Sequence, residues 1–172
     1  GGFDVVPSGV DLDGFVTTDP SGIPSVVEQL RSAYDIVILD TGAGLSREMI
    51  HGFDSADTVL LVSSPRIASV RDTEKTIQLA HRRDAEVDGI IFTKSGTGRA
   101  PPVERIANFL DIDLLGHVPE DPAVPTAQDH GRPVVVDYPD SSAAEAYREI
   151  STAVRPAAEQ RTRKRKRPRQ RR

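Results

Sequence analysis

Asp40 is the residue whose sequence context most clearly suggests chemistry. It follows the apolar run 36–39 and precedes Thr41-Gly42-Ala43-Gly44. In an aspartic protease, an Asp-Thr-Gly-Ala loop supplies one of two carboxylates that share a proton. In a nucleotide site, an aspartate that ends a buried strand reaches Mg²⁺ through water, and the following glycines let backbone N–H groups approach a phosphate. A third, structural interpretation is that Asp40 caps the next helix.

The segments that must position Asp40 predict an α/β fold. Four short apolar runs, at 35–40, 57–63, 88–94 and 113–118, are nearly continuous, which is typical of strands buried on both faces of a parallel sheet.

Helical spacing of apolar residues occurs between these runs. It predicts helices at 23–30, near 46–53, at 68–83, where the pattern is weaker, at 103–110 and at 142–154. The last of these begins with Ser142-x-x-Glu145, the pattern of a capping box. The alternation of strands and helices predicts a mostly parallel sheet with helices on both faces.

This architecture favours the nucleotide site over the protease. Aspartic proteases of the Asp-Thr-Gly-Ala type are all-β and need a second aspartate, and no second Asp-[Ser/Thr]-Gly occurs in the chain. In open parallel sheets, ligands bind beyond the carboxyl ends of the strands, where an aspartate that ends an apolar run would lie.

Composition excludes several other classes of site. The chain has no cysteine, so disulfides, thiolate metal sites and a cysteine nucleophile are excluded. No metal-ligand spacing relates the four histidines, which are His51, His81, His117 and His130. No apolar run approaches the roughly 20 residues that cross a bilayer, and no signal-peptide pattern occurs, so we predict a cytoplasmic protein.

Charge divides the chain into an acidic body and a basic tail. The last twelve residues carry nine of the 22 basic side chains, so residues 1–160 hold 13 basic and all 26 acidic side chains, a formal charge of −13. Aspartate outnumbers glutamate in this body by 17 to 9. Such a surface is typical of adaptation to high salt, and compositional bias is the alternative.

The tail is predicted to be a disordered anion-binding segment. We assign 1–157 to one domain and 158–172 to an Arg/Lys-rich tail without apolar periodicity. Its densest cluster is Arg163, Lys164, Arg165, Lys166 and Arg167. Anionic lipid or nucleic acid would suit it, whereas a solubilising tail tethered to the acidic body is the alternative.

Four segments, in order, resemble the MinD/ParA family of P-loop ATPases, and the MinD branch in particular. They are FDVVPSGV at 3–10, YDIVILDTGAGLS at 34–46, ADTVLLVSSPRIASVRDTEKT at 56–76 and LLGHVPEDPAVPTAQDHGRPVV at 114–135. The resemblance implies a cytoplasmic ATPase that forms a homodimer around ATP and Mg²⁺. It also implies association with a membrane or other surface, a regulatory partner protein, and a role in placing the division site or partitioning chromosomes or plasmids.

The resemblance also implies roles for individual residues. Asp40 would hold Mg²⁺ through water, and a switch loop that senses the terminal phosphate would contain Thr41, Gly42 and Gly44. The adenine pocket would contain Thr93, Lys94, Pro119, Glu120 and Asp121. The family usually has asparagine at the position of Thr93, and threonine offers one hydroxyl in place of an amide that has a separate donor and acceptor. Segment 69–72 would belong to a helix that can face partners.

The chain contains no G-x-x-x-x-G-K-[ST] loop and no K-G-G-x-G-K-[ST] variant. The cluster Lys94-Ser95-Gly96-Thr97-Gly98 has the wrong order. The chain therefore resembles the C-terminal half to two-thirds of a MinD-like ATPase. Because the missing loop supplies most of the phosphate contacts, we expect no ATP turnover from the chain alone. A non-catalytic interaction module of the same fold is the alternative.

Overall fold

The computed structural model describes residues 3–7, 19–42, 44–96, 98 and 100–165, with side chains up to residue 154. It contains two compact units, Gly1–Ser55 and Ala56–Arg172. The boundary between a domain at 1–157 and a tail at 158–172 stays a prediction.

The described part of the first unit is built on two helices. A single 3-10 turn, Pro20–Gly22, leads into α1, Ile23–Arg31, and α2 spans Arg47–Ser55. The helices pack against each other, and the Arg31 guanidinium donates a hydrogen bond to the Ser55 carbonyl at 2.6 Å. Both helices lie where the apolar spacing predicts them.

The strand predicted at 35–40 is wrong. The structure assigns no strand to these residues, and the side chains of Ile36 and Ile38 are 57% and 84% exposed. A strand is stable only when its backbone groups pair with a neighbour, and no such pairing involves this segment among the described residues. Asp40 therefore ends an exposed apolar run and not a buried strand.

The second unit is built on a parallel sheet. Its strands are β1, Val59–Ser63, β2, Val87–Ser95, and β3, Leu114–Pro119, in the order β1-β2-β3. Helix α3, Ile67–Arg82, joins β1 to β2, and α4, Val103–Leu110, joins β2 to β3. The sequence predicts all of these elements to within about two residues, which is the ordinary uncertainty of element boundaries.

Helices cover both faces of this sheet. On one face, Leu61, Ile90 and Phe92 form a core with α3 and α4. On the other, Val118 and Ile91 pack against Ile150 of the last helix. This confirms the predicted α/β class, and the all-β fold of an aspartic protease is excluded.

Strand β1 departs from the prediction that each strand is buried on both faces. Leu61 is buried, but Leu60 and Val62 are 37% and 65% exposed. Neighbouring side chains of a strand point to opposite faces, so the face of β1 that carries Leu60 and Val62 is exposed in this unit.

In the described part of the chain, three helices follow β3. They are α5, Ala123–Asp129, α6, Val134–Asp137, and α7, Ser142–Arg165. Helix α7 is capped one residue earlier than the sequence predicts, because the Ala144 N–H donates to the Ser141 hydroxyl at 3.2 Å. It also continues beyond the point where apolar periodicity stops, so 158–165 is helical where the sequence predicts disorder. Among the described residues, no helix is both long and apolar enough to cross a bilayer.

A glycine lets α7 lie close to the sheet. At Gly116 in β3, an added Cβ atom would lie 2.6 Å from Cγ1 of Ile150, closer than real Cβ contacts come. Only a residue without a side chain allows Ile150 to pack at this distance. Gly116 therefore sets the spacing between β3 and α7.

Candidate nucleotide-binding site

The carboxyl ends of β2 and β3 are joined through a bulge. Thr93 pairs with Val118 and Ser95 pairs with Pro119, so Lys94 is an extra residue on β2. Lys94 has a positive φ of 55°, and its side chain is exposed, whereas Ser95 is buried. Bulges re-aim the residues beside them, and here the bulge places Ser95 opposite the end of β3.

Ser95 makes three polar contacts with the end of β3. Its hydroxyl donates to the Val118 carbonyl at 3.2 Å and lies 2.9 Å from Nδ1 of His117. Its carbonyl accepts a hydrogen bond from the Glu120 N–H at 3.0 Å. The sequence does not single out Ser95, because its contacts depend on the bulge, which has no separate signal in the sequence.

The predicted base segment Pro119-Glu120-Asp121 follows directly. Pro119 and Asp121 are half-buried and Glu120 is exposed. The Asp121 carboxylate accepts hydrogen bonds from the Ala123 N–H at 2.8 Å, the Ser142 hydroxyl at 2.7 Å and the Ala143 N–H at 3.1 Å. These bonds stabilise the charged form, so they lower the pKa of Asp121, with the Ala123 N–H as the largest cause. Its side chain is therefore committed to the starts of α5 and α7.

Thr93, the predicted counterpart of the family's asparagine, is hydrogen-bonded toward β1. Its hydroxyl donates to the Ser63 carbonyl at 3.4 Å, a long bond. Ser63 in turn accepts a bond from the buried Thr73 hydroxyl at 2.9 Å, which ties the end of β1 to α3. Four of the five predicted base-pocket residues, namely Thr93, Pro119, Glu120 and Asp121, thus lie along the connected ends of the strands, and Lys94 projects from the bulge.

Asp40 and the predicted switch residues lie in the first unit, between α1 and α2. Asp40, Thr41, Gly42 and Gly44 are all exposed. Gly44 has a φ of 88°, in the left-handed region that favours glycine. The structural alternative for Asp40 is wrong, because Ser46 caps α2 by accepting the Met49 N–H at 3.2 Å.

Two further side chains near this loop have shifted pKa values. The Ser46 hydroxyl donates to Glu48 and lowers the pKa of that carboxyl. The Tyr34 hydroxyl donates to Asp4 at 2.6 Å, and this hydrogen bond raises the pKa of Tyr34. The second bond ties segment 3–7 to the residue that precedes the Asp40 segment.

A single carboxylate such as Asp40 fits Mg²⁺ but not a protein-enclosed metal centre. Among the described residues, no three His, Asp or Glu side chains come together as metal ligands. Within the same residues, Asp40 makes no hydrogen bond or ion pair. Mg²⁺ keeps much of its hydration and is commonly held by one or two carboxylates together with substrate phosphates. The exposed, unengaged carboxylate of Asp40 matches that requirement.

The predicted anion-binding tail is only partly described. Arg163, Lys164 and Arg165 belong to α7, whereas Lys166 and Arg167 lie outside the described residues.

Comparison with known proteins matches most of the chain to one family. The ParA family profile, described as "NUBPL iron-transfer P-loop NTPase", matches residues 26–155. An ATP-binding protein of unknown function from Methanocaldococcus jannaschii is 34% identical over 86% of this chain and 56% of its own length. The septum site-determining protein MinD of Bacillus subtilis is 30% identical over 78% of this chain and 52% of its own length. The chain thus spans about half the length of these curated relatives.

A solved structure supports the same grouping. The septum site-determining protein MinD of Pyrococcus horikoshii, complexed with Mg-ADP, superposes with a TM-score of 0.81 at 28% identity, covering 89% of this chain and 63% of that one. The open parallel sheet with flanking helices is therefore a MinD-like P-loop NTPase fold.

Proposed function

Because this chain belongs to the ParA family of P-loop NTPases, we propose that it forms part of a MinD-like ATPase that positions cell-division or partition machinery. Its role in that protein is to bind the base and the magnesium ion of ATP. The similarity to a MinD structure that holds Mg-ADP is the main support.

The end of β3 carries the base-binding part of the proposal. Segment Pro119-Glu120-Asp121 is attached to β2 through Ser95 and to α5 and α7 through the Asp121 carboxylate. A segment fixed at both ends presents its backbone groups and the Pro119 ring in one geometry. Preorganised groups of this kind bind a ligand without first having to be ordered.

Asp40 carries the magnesium part. Its carboxylate would hold Mg²⁺ through water, and the ion would neutralise phosphate charge. Thr41, Gly42 and Gly44 would sense the terminal phosphate, and the left-handed Gly44 supplies the backbone freedom that such an approach needs.

We propose that ATP binding controls association. Two copies would dimerise around ATP, and a regulatory partner protein would dock on the helix that contains Ser69-Val70-Arg71-Asp72. In α3, Arg71 and Asp72 are exposed, while the Ser69 hydroxyl is engaged with Ser64 at 2.8 Å. Arg71 therefore presents an exposed charge to a partner, whereas Asp72 is paired with Lys75 at 3.1 Å. Ser69 anchors the start of the helix to the end of β1.

The basic end of the chain would attract an anionic surface, either a membrane or nucleic acid. Nine cations and no acid in residues 161–172 bind phosphates through counterion release. Binding of the whole chain to anionic vesicles or DNA should fall steeply with salt and disappear when 161–172 is deleted. If the chain without 161–172 still bound anionic vesicles or DNA as strongly as the whole chain, this role of the basic tail would be contradicted.

Nucleotide titration of the 172-residue chain tests the central proposal. In ¹⁵N spectra, Mg-ADP should shift the amide signals of Glu120 and Asp121, and Asp40→Asn should weaken the effect of Mg²⁺. Asp35→Asn is the matched control, since it removes another exposed carboxylate from the same segment. If ADP shifts neither amide at millimolar concentration, the non-catalytic interaction module is the better description.

A further inference from the structure

We infer that Ser95 is the positioning residue for the base-binding segment Pro119-Glu120-Asp121. What the segment binds rests on the proposed function, whereas the positioning itself follows from the contacts of Ser95. No resemblance or sequence pattern assigns a role to this residue.

Ser95 contacts the residues on both sides of Pro119. Its hydroxyl donates to the Val118 carbonyl at 3.2 Å, and its carbonyl accepts the Glu120 N–H at 3.0 Å. These two bonds fix the backbone immediately before and after the proline. Since Ser95 is only 5% exposed, water cannot readily replace its hydroxyl if that group is lost.

The bulge at Lys94 is what brings Ser95 to this place. In a regular ladder, Lys94 would pair with the residue after Val118, but the observed partner of Pro119 is Ser95. The left-handed φ of 55° at Lys94 directs that side chain outward, so a small polar residue occupies the buried position. A long cationic side chain there would have to be desolvated.

The hydroxyl of Ser95 also links the segment to His117. A serine hydroxyl has a single proton, so when it donates to Val118 it can only accept a hydrogen bond from Nδ1 of His117, which lies 2.9 Å away. This arrangement requires a proton on Nδ1. The Nδ1–H form of His117 therefore reports that Ser95 is in its positioning geometry.

Thr93 cannot take over this function. Its hydroxyl is directed to the Ser63 carbonyl on β1, so it faces the opposite neighbour of β2. Thr93, at the position where the family usually has asparagine, thus makes its hydrogen bond to β1. Ser95, two residues later, holds the base-binding segment.

The first experiment needs no ligand. In the ¹⁵N-labelled chain, Ser95→Ala should increase amide hydrogen exchange at Glu120 by about tenfold. Alanine keeps the carbonyl that accepts the Glu120 N–H but loses the buried hydroxyl that holds the Val118 carbonyl, so this part of the segment should open more often. The Nδ1–H form of His117 should also become less populated, as measured from its ring nitrogen shifts. Ser63→Ala is the matched control: it removes another buried hydroxyl from the same sheet, at the end of β1. It should change neither signal.

Two other variants complete this test. Ser95→Thr keeps the hydroxyl and should restore most of the protection at Glu120. Ser95→Cys has a side chain of similar size with a weaker donor, so it should increase hydrogen exchange at Glu120 by an intermediate amount. It replaces the alanine variant in the test if that variant does not fold. The inference is overturned if Glu120 exchanges no faster in the Ser95 variants than in Ser63→Ala, or if His117 is unchanged.

The second experiment adds nucleotide. Wild-type chain should prefer Mg-ADP to Mg-GDP in amide shifts at Glu120 and Asp121, and Ser95→Ala should reduce ADP affinity about threefold or more and narrow that preference. If wild type binds ADP and Ser95→Ala binds it equally, the inference fails and the proposed function stands. If wild type binds no nucleotide but Glu120 exchange still depends on Ser95, the proposed function fails and the positioning stands.

Discussion

The Asp121 carboxylate accepts a hydrogen bond from the Ser142 hydroxyl at 2.7 Å, joining residues 21 positions apart. The same carboxylate accepts the N–H groups of Ala123 and Ala143. One side chain thus satisfies free backbone donors at the starts of two helices, α5 and α7. These donors have no partners within their own helices, which is why a polar cap stabilises a helix.

Replacement of Asp121 should therefore destabilise the chain. Asp121→Ala removes both caps, and we expect the midpoint of thermal unfolding, Tm, to fall by about 2–4 °C or more. Asp129→Ala, which removes an exposed carboxylate at the end of α5, is the control and should change Tm much less. Equal changes in circular dichroism melting for the two variants would contradict the double-cap role.

The same residue should make stability depend on pH. Its pKa in the folded chain lies below the usual value of an aspartate, because the folded state stabilises the charged carboxylate. This contribution is fully present above the unfolded pKa and is lost as pH falls through the lower folded value. Urea unfolding between pH 5 and pH 2 should show a loss of stability in wild type that is smaller in Asp121→Ala. If the free energy of unfolding fell equally with pH in wild type and Asp121→Ala, Asp121 would not be the source of this pH dependence.

The sequence predicts most of the second unit because its signals are local. The apolar runs that become β1, β2 and β3 and the helical spacing of α3 and α4 each depend on neighbouring residues only. The failures involve partners that are distant in the chain. An apolar run at 35–40 cannot by itself supply a pairing strand. Ser141 and Ser142 are equally good caps in sequence, and Ser142 is instead bonded to Asp121.

The candidate site was predictable only in part for the same reason. Resemblance predicts that Pro119-Glu120-Asp121 binds the base, and this role stays a prediction. The capping role of the Asp121 side chain is visible only in the three-dimensional contacts. Ser95 escapes prediction because nothing local indicates that Lys94 forms a bulge. A positive φ at a lysine is uncommon, so a sequence pattern gives no reason to expect it.

The contact between Gly116 and Ile150 predicts a specific pair of effects. Gly116→Ala would place a Cβ atom 2.6 Å from Cγ1 of Ile150, and overpacking of this kind costs about 1–3 kcal/mol. In the Gly116→Ala/Ile150→Ala double variant the clash is absent. The double variant should therefore lose less unfolding free energy than the sum of the losses in the two single variants. Denaturant unfolding of all four chains measures this coupling. Full additivity would mean that the backbone angle at Gly116, and not the contact, is responsible.

The two phenylalanines Phe92 and Phe109 should differ sharply in their contribution to stability. Phe92 is fully buried in the core between the sheet, α3 and α4, whereas Phe109 is 73% exposed. Phe92→Ala should lower the free energy of unfolding by about 3–5 kcal/mol, and Phe109→Ala by less than about 0.5 kcal/mol. If both variants unfold at the same denaturant concentration, the core is not where the structure places it.

The last prediction concerns catalysis by the chain itself. No phosphate-loop motif occurs in its 172 residues, and such a loop supplies the N–H groups and lysine that bind and polarise the phosphates. In the proposed site Asp40 would help to hold Mg²⁺, but one carboxylate cannot replace that electrostatic source. We therefore expect purified chain with Mg-ATP to release phosphate no faster than buffer, and Asp40→Asn to be indistinguishable from wild type in the same assay. Phosphate release that is measurable in wild type and lost in Asp40→Asn, but kept in Asp35→Asn, would show that the described residues contain a complete catalytic site.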